Sequence, residues 1–376
     1  MSTHVLWSHS LPDRIGMLKD GTTRVAYLAP KPEYGTFRYR CFNPVDAINR
    51  HSQELSASYF FYSDLETLDN LADYADVLIA SRCPMDAQLD RVFRRFRNAN
   101  KKILFDIDDL VCDVRYATLV ASNLGYPLEK ADLNNWTAFI ASINLSLAAA
   151  DEIITTNDHL AKRIRDIVPA HVHVVPNTFN ESQLGASNDA LTIPRPARQG
   201  LRLGYFSGSQ SHSLDFDVIA RQILTFLDES KTSTLTIVGH LDVPEEFAHL
   251  GHRLVTQPFM DFLEIQSVLR DIDINIVPLQ DSAFTWSKSE LKFFEAALVE
   301  TPTLASKTPV FGKAITPGVT GFLAESSEWL EVLRDIGTLP PKELESVGAA
   351  ARESVLATYS PAALAETLDG ILGKQK

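Results

Sequence analysis

Cysteine is scarce in this chain: Cys41, Cys83 and Cys112 are the only three among 376 residues. An odd and widely spaced set argues against a disulfide framework and against a zinc knuckle. Positive charge is also in deficit, with 35 Lys and Arg against 48 Asp and Glu and a net charge of −13. General affinity for nucleic acid is therefore not expected. No apolar run is long enough to span a bilayer. The opening MSTHVLWSHSLPDR lacks the basic start and continuous apolar core of a secretory leader, so a cytoplasmic protein is expected. The first βα turn contains no G-x-G-x-x-G, which counts against a standard dinucleotide fingerprint.

What is present is a 45% hydrophobic chain, enough for a sizeable core and, by usual domain sizes, for two domains. Short β-rich runs at 24–30, 58–63, 76–82, 102–108, 151–157 and 172–177 alternate with helical patterns. Strands separated by helices imply parallel pairing through right-handed crossovers, hence a doubly wound α/β sheet. The stretch 178–200 is polar, carries two prolines and follows neither period, which reads as a linker. The alternation then restarts at 201–207, 233–240, 252–258, 274–280 and 302–306. The expected organisation is an N-terminal Rossmann-like domain over 1–180, a linker over 181–200 and a second such domain over 201–358. Ligands of open parallel sheets bind outside the carboxyl ends of the strands, so the deepest cleft should lie between the two domains.

The stretch SKSELKFFEAALVETPTLAS, residues 287–306, has Ser287 three residues before Glu290, a capping-box spacing that predicts a helix from Lys288. Lys288, Lys292 and Glu295 fall on one stripe of that helix, beside an apolar stripe of Leu291, Phe294 and Leu298. Lysines at a helix N-terminus add to a dipole that already favours anions, which suits a diphosphate. Glu295 is placed to accept hydrogen bonds from sugar hydroxyls. A solvated face with a Lys292–Glu295 pair is the other reading.

Three further groups lie just after strands. In LGYFSGSQSHSLDF (203–216), Gly208 lets the backbone approach a ligand, Ser207 and Ser209 offer hydroxyls, and His212 precedes the next helix. FDIDDL (105–110) ends a strand with Asp106, Asp108 and Asp109, which could hold a divalent metal, act as a base, or cap the next segment. In APKPEYGTFRYRCF (29–42), Gly35, Arg38 and Arg40 are candidates for an anionic acceptor. Separately, 86–102 is a basic amphipathic helix. It could rest on anionic lipid, although packing of Leu89, Val92, Phe93 and Phe96 on the sheet is favoured.

Taken in order, these segments resemble a GT-B glycosyltransferase, most like the retaining family 4 type (glycosyl transferases group 1). AAADEIITTNDHLAKRIRD followed by VHVVPN is similar to the end of that family's N-terminal domain. DIDINIVPLQ, LKFFEAALVETPTLAS and TPGVTGFLAE look like its donor-domain signature. The resemblance implies two Rossmann-like domains facing a central cleft, with 359–376 returning as a helix to the N-terminal domain. It also implies transfer of a sugar from a nucleotide sugar to an acceptor hydroxyl on a glycan or lipid-linked precursor. Retention of configuration, no metal and no cofactor go with it. Glu295 matches the second of the family's paired glutamates, which holds the donor ribose, while Ser287 stands where the first belongs. The basic residues that usually follow the donor domain's first strand are absent, and Lys288 and Lys292 are expected to supply that charge. Asp108 and Asp109 fall near the family's histidine beside the acceptor.

Three alternatives remain at this point. One is a nucleotide-sugar 2-epimerase of the same fold. Another is a non-catalytic glycan- or nucleotide-binding protein, favoured by Ser287. The last is a metal-dependent GT-A enzyme built around Asp106-Ile107-Asp108, which would have a single nucleotide-binding sheet. For a lipid-linked acceptor, a peripheral site at the inner face of the cell membrane is the corresponding expectation.

Overall fold

The apolar runs of the first half alternate their side chains between two faces, and each face is covered. In a computed structural model of the chain, which describes residues 6–18, 22–33, 35–68, 70–125, 129–195, 197, 199–208 and 213–373, six strands form one parallel sheet. They are β1 (Thr23–Ala29), β2 (Leu55–Phe61), β3 (Val77–Ser81), β4 (Lys102–Ile107), β5 (Glu152–Thr155) and β6 (His171–Val174), in spatial order β2-β1-β3-β4-β5-β6. Val25, Tyr27 and Ala29 of β1 enter one core with Val45 and Ile48 of the helix Asn43–His51. Ala26 and Leu28 enter the opposite core, with Leu89, Val92, Phe93 and Phe96 of the helix Ala87–Asn98. Burial on both faces is what a parallel sheet requires, and it explains why these strands read as nearly continuous apolar runs. The basic helix thus buries its apolar stripe while Arg91, Arg94, Arg95 and Arg97 are exposed.

The second half repeats the architecture. Strands β7 (Arg202–Ser207), β8 (Thr234–Gly239), β9 (Leu254–Gln257), β10 (Ile274–Val277), β11 (Thr303–Ser306) and β12 (Phe322–Ala324) form a second parallel sheet in the order β12-β11-β10-β7-β8-β9. Two sheets of this kind, each doubly wound, are at odds with the single-sheet GT-A alternative. The last helix, Pro361–Leu372, places Leu364, Ala365, Leu368 and Leu372 in the N-terminal core beside Val45 and Ile48.

Three local expectations are corrected. The stretch read as an irregular linker contains a helix, Glu181–Leu191. Asn180 caps it by accepting from the Gln183 N–H at 2.9 Å, and Gln183 and Ser187 are fully buried. Buried polar residues conceal the helical period from a hydrophobicity count. The short edge strand β12 has only three residues and was not anticipated. The helix expected from Lys288 runs instead over Leu291–Ala297. Ser287 closes a preceding 3₁₀ turn, Thr285–Ser287, and its Oγ donates to the Ala283 carbonyl at 2.8 Å, so no capping box forms.

Candidate functional site

In an open parallel sheet the crevice opens where the strand order reverses, because neighbouring connections leave on opposite faces. In the first sheet that point lies between β1 and β3, and in the second between β7 and β10. The segments leaving these strands, and β4 beside them, carry most of the candidate residues.

After β1, the Glu33 carboxylate accepts from the backbone N–H of Gly35 at 3.0 Å and of Phe37 at 2.6 Å. The turn thus presents N–H groups that hold an anion, here the protein's own carboxylate. After β3 comes Arg82, a residue the sequence reading did not single out, held at φ 50°. A non-glycine residue in that region costs on the order of 1–3 kcal/mol and is found where the surroundings enforce it. Its Nη1 lies 3.0 Å from Thr36 Oγ1 and 3.4 Å from Asp108 Oδ1, and Thr36 donates to Asp108 Oδ2 at 3.0 Å. Asp109 follows, with burial raising its pKa against the opposing influence of Arg82 and Lys288. Lys288 belongs to the other domain, so the two halves act on one another at this point.

On the facing side, Gly208 follows β7 and is exposed, and a Cβ there would meet nothing within 4 Å. The Ser207 hydroxyl is turned away to the His240 carbonyl at 2.6 Å. Ser209 and His212 lie outside the described residues. Lys288 Nζ is 3.5 Å from Asp215 Oδ2 and 5.3 Å from the centroid of the Phe284 ring. Lys292, one turn on, has its Nζ 5.4 Å from the Tyr205 ring. Burial lowers the Lys292 pKa to about 8; Asp215 and Glu295 oppose this and Lys288 adds to it. Asp215 is itself fully buried and accepts from the Gln280 N–H at 3.1 Å. The sequence reading missed Asp215 because it sits inside a short helix, Ser213–Asp217.

Two of the candidate arginines lie elsewhere. Arg40 is enclosed in the N-terminal domain, forking onto Asp106 through Nε at 2.8 Å and Nη2 at 2.7 Å. Its Nη1 donates to the Val175 carbonyl and to Asn177 Oδ1. Burial works against the Arg40 charge, but Asp106 outweighs it and the guanidinium's pKa is raised. Arg38 is sandwiched between the rings of Tyr39 and Phe262, at 4.0 and 4.1 Å. Its Nη2 approaches Glu295 at 3.4 Å. Glu295 also accepts from the Tyr39 hydroxyl at 2.6 Å, so in this arrangement it bonds across the domain boundary.

The domains are drawn together by the segment after β10. Phe284 is buried in the N-terminal core. Asn157 donates to the Ser287 carbonyl at 2.9 Å, and Asn177 donates to Ser289 Oγ at 2.9 Å. Ser287 is fully buried, its Oγ turned to the Ala283 carbonyl. Among the described residues, no group of three or more His, Cys, Asp or Glu is placed to hold a metal ion, and no helix is long and apolar enough to cross a membrane.

Residues 220–370 match the family described as Glycosyl transferase-like. Among solved structures the chain is similar to Anabaena HepE in complex with UDP, with a TM-score of 0.61 and 12% identity, covering 93% of this chain and 99% of that one. HepE has also been seen with UDP-glucose. Sucrose-phosphate synthase from Thermosynechococcus elongatus gives a TM-score of 0.60 at 14% identity, covering 93% and 98%. The apo structure of OtsA gives 0.59 at 11% identity, covering 94% and 100%. No curated protein sequence matches the chain. At these identities the likeness is one of fold, and the fold is GT-B.

Proposed function

We propose that this GT-B chain, whose C-terminal half matches the glycosyl transferase-like family, moves a sugar from a nucleotide-sugar donor to an acceptor hydroxyl. The observation that carries the reading is the pairing across the cleft. Lys288 and Lys292, with their Nζ atoms by Asp215 and the Tyr205 ring, stand on one side, and Asp108, Asp109 and Arg82 lie at the strand ends of the other domain, where Lys288 acts on Asp109. In transfer from a nucleotide sugar, negative charge grows on the departing diphosphate as the glycosidic bond breaks. Two ammonium groups in a partly dry site stabilise that charge more in the transition state than in the ground state. This chemistry needs no metal.

Asp108 and Asp109 lie where an acceptor hydroxyl would arrive, and one carboxylate oriented by Arg82 and Thr36 is suited to take or share its proton. The raised pKa of Asp109 suits a group that exchanges a proton. Gly35 and the Glu33-filled turn form the neighbouring wall of this acceptor side. Glu295 would leave Tyr39 to hold the donor ribose. Retention of configuration belongs to the family 4 reading, and Ser287 in place of a glutamate leaves the transferred sugar to be held by other groups. UDP-sugars are the first donors to try, since HepE binds UDP and UDP-glucose.

The test is to incubate purified protein with a panel of nucleotide sugars, with and without glycan acceptors, and to measure both nucleoside diphosphate and sugar products. Acceptor-dependent release supports transfer. A changed sugar without acceptor would establish the epimerase reading, and binding without turnover would establish a non-catalytic protein.

A further inference from the structure

A second group of cations lies at the opposite edge of the C-terminal sheet from the cleft. Arg195 precedes β7, Arg270 lies on the helix Ile265–Asp271 that leads into β10, and Glu300 and Thr301 precede β11. These positions mark the amino ends of the strands, whereas the cleft opens at their carboxyl ends. With Lys342, Glu345, Ser346 and Ala349 of the helix Pro341–Thr358, Arg195, Arg270 and Glu300 surround a cavity of about 600 Å³.

The two arginines converge on one point. Arg195 Nη2 donates to the Glu300 carbonyl at 2.8 Å and to Thr301 Oγ1 at 2.7 Å, and it approaches the Val299 carbonyl at 3.3 Å. Arg270 Nη1 donates to the same Val299 carbonyl at 3.1 Å and lies 3.4 Å from Glu300 Oε2. The loop is forced into position: Glu300 has φ 58°, and a Cβ on Gly348 would sit 2.0 Å from the Glu300 carbonyl oxygen. Helix and loop therefore touch with no room between them, and Lys342 is brought to the rim. The Nε atoms of both arginines are buried without a hydrogen-bond partner. Burial, with Arg270 and Arg202 nearby, lowers the Arg195 pKa to about 10, while Asp273 and Glu300 oppose the shift.

Two crowded guanidiniums lining one cavity repel each other and are an unfavourable arrangement by themselves. They become favourable when a compact, multiply charged oxyanion enters, because arginine's fork matches phosphate geometry. We propose that this cavity is a binding site for a phosphate group, free or carried as a monoester of a small molecule, held by Arg195, Arg270 and Lys342. Glu300 holds Arg270 in position and Glu345 bounds the rim, so the net positive charge is small and favours one phosphate over a polyanion. The cavity volume falls in the range of small-molecule sites, which leaves room for the body of a monoester.

The experiment titrates inorganic phosphate and, separately, glucose 6-phosphate into the full chain by calorimetry. It is repeated for Arg270→Gln, for Lys342→Glu on the exposed rim, and for the cleft double variant Lys288→Ala/Lys292→Ala. The expected result is at least tenfold weaker phosphate binding in Arg270→Gln and in Lys342→Glu, with binding kept in the cleft variant. Tighter binding of glucose 6-phosphate assigns the site to monoesters, and equal binding assigns it to free phosphate. No binding by the wild type overturns the proposal, as does binding unchanged in Lys342→Glu or lost in the cleft variant. Because the cleft variant separates the two sites, this outcome is independent of whether the cleft binds nucleotide.

Discussion

The Tyr39 hydroxyl, on the N-terminal domain, donates to the Glu295 carboxylate of the C-terminal domain at 2.6 Å. Gln183 Nε2 of the linker helix approaches the same oxygen at 3.5 Å and Arg38 Nη2 at 3.4 Å. A ribose that bonds Glu295 must compete with these donors. Tyr39→Phe is therefore expected to bind nucleoside more tightly, on the order of fivefold, the equivalent of about 1 kcal/mol for one net hydrogen bond. Glu295→Ala should weaken it. Calorimetry with uridine and UDP checks both, and tighter binding by Glu295→Ala would remove Glu295 from the donor site.

Lys292 makes diphosphate binding sensitive to pH. Its pKa is depressed to about 8, chiefly by burial, so the cation is present below that value and lost above it. Nucleoside diphosphate affinity should fall as pH rises from 7 to 9, and Lys292→Arg should flatten the decline because arginine stays charged. An affinity profile unaltered in Lys292→Arg would show that another group titrates.

Lys288→Ala should weaken nucleoside diphosphate more than nucleoside. The lost contact acts on the phosphates, and Asp215, buried 3.5 Å from Lys288 Nζ, would be left to repel them. A tenfold loss or more for the diphosphate is expected. Equal affinity of wild type and variant for UDP would sink this assignment.

Asp108→Asn should lower turnover by about 10²-fold or more, the scale of general acid–base assistance, with donor affinity changed little. A group acting on the acceptor or the transition state leaves the ground-state donor complex intact. Steady-state kinetics beside direct donor binding separates the two effects. Full activity in a folded variant would reduce Asp108 to a partner of Thr36 and Arg82.

Asp106→Asn tests stability instead. It leaves Arg40 buried with its main counter-charge removed, and breaking one side of such a pair costs about 3–5 kcal/mol. A large drop in Tm with UDP affinity retained at low temperature is expected. Retained stability would mean that Val175 and Asn177 suffice to hold the guanidinium.

The fold was readable because its signals are apolar and periodic. Runs such as RVAYLAP and KILFDID leave little doubt about buried parallel strands. The helix Glu181–Leu191 was hidden because Gln183 and Ser187 are buried polar residues, and hydrophobic periodicity does not register them. The sequence offers site candidates only where residue type and strand end coincide, as at Asp108, Asp109 and Gly208. Arg38 and Arg40 meet the same criterion yet turn into protein interior, because partners distant in sequence, Glu295 and Asp106, claim them. Arg82 and Asp215 stand in an unremarkable sequence context, and their partners, Thr36 and Asp108 for Arg82 and Lys288 for Asp215, are distant in sequence.

The helix Pro361–Leu372 has a consequence for the order of synthesis. Leu364, Ala365, Leu368 and Leu372 complete a core whose other members lie mostly between Trp7 and Val175, and Asp369 accepts from Ser52 Oγ at 2.5 Å. The domain that leaves the ribosome first therefore waits, with part of one face bare, until nearly the whole of its neighbour has been made. Domains usually mature in the order of translation; here the first is finished last. Loss of the helix Pro361–Leu372 would thus injure the domain built from the first half of the chain.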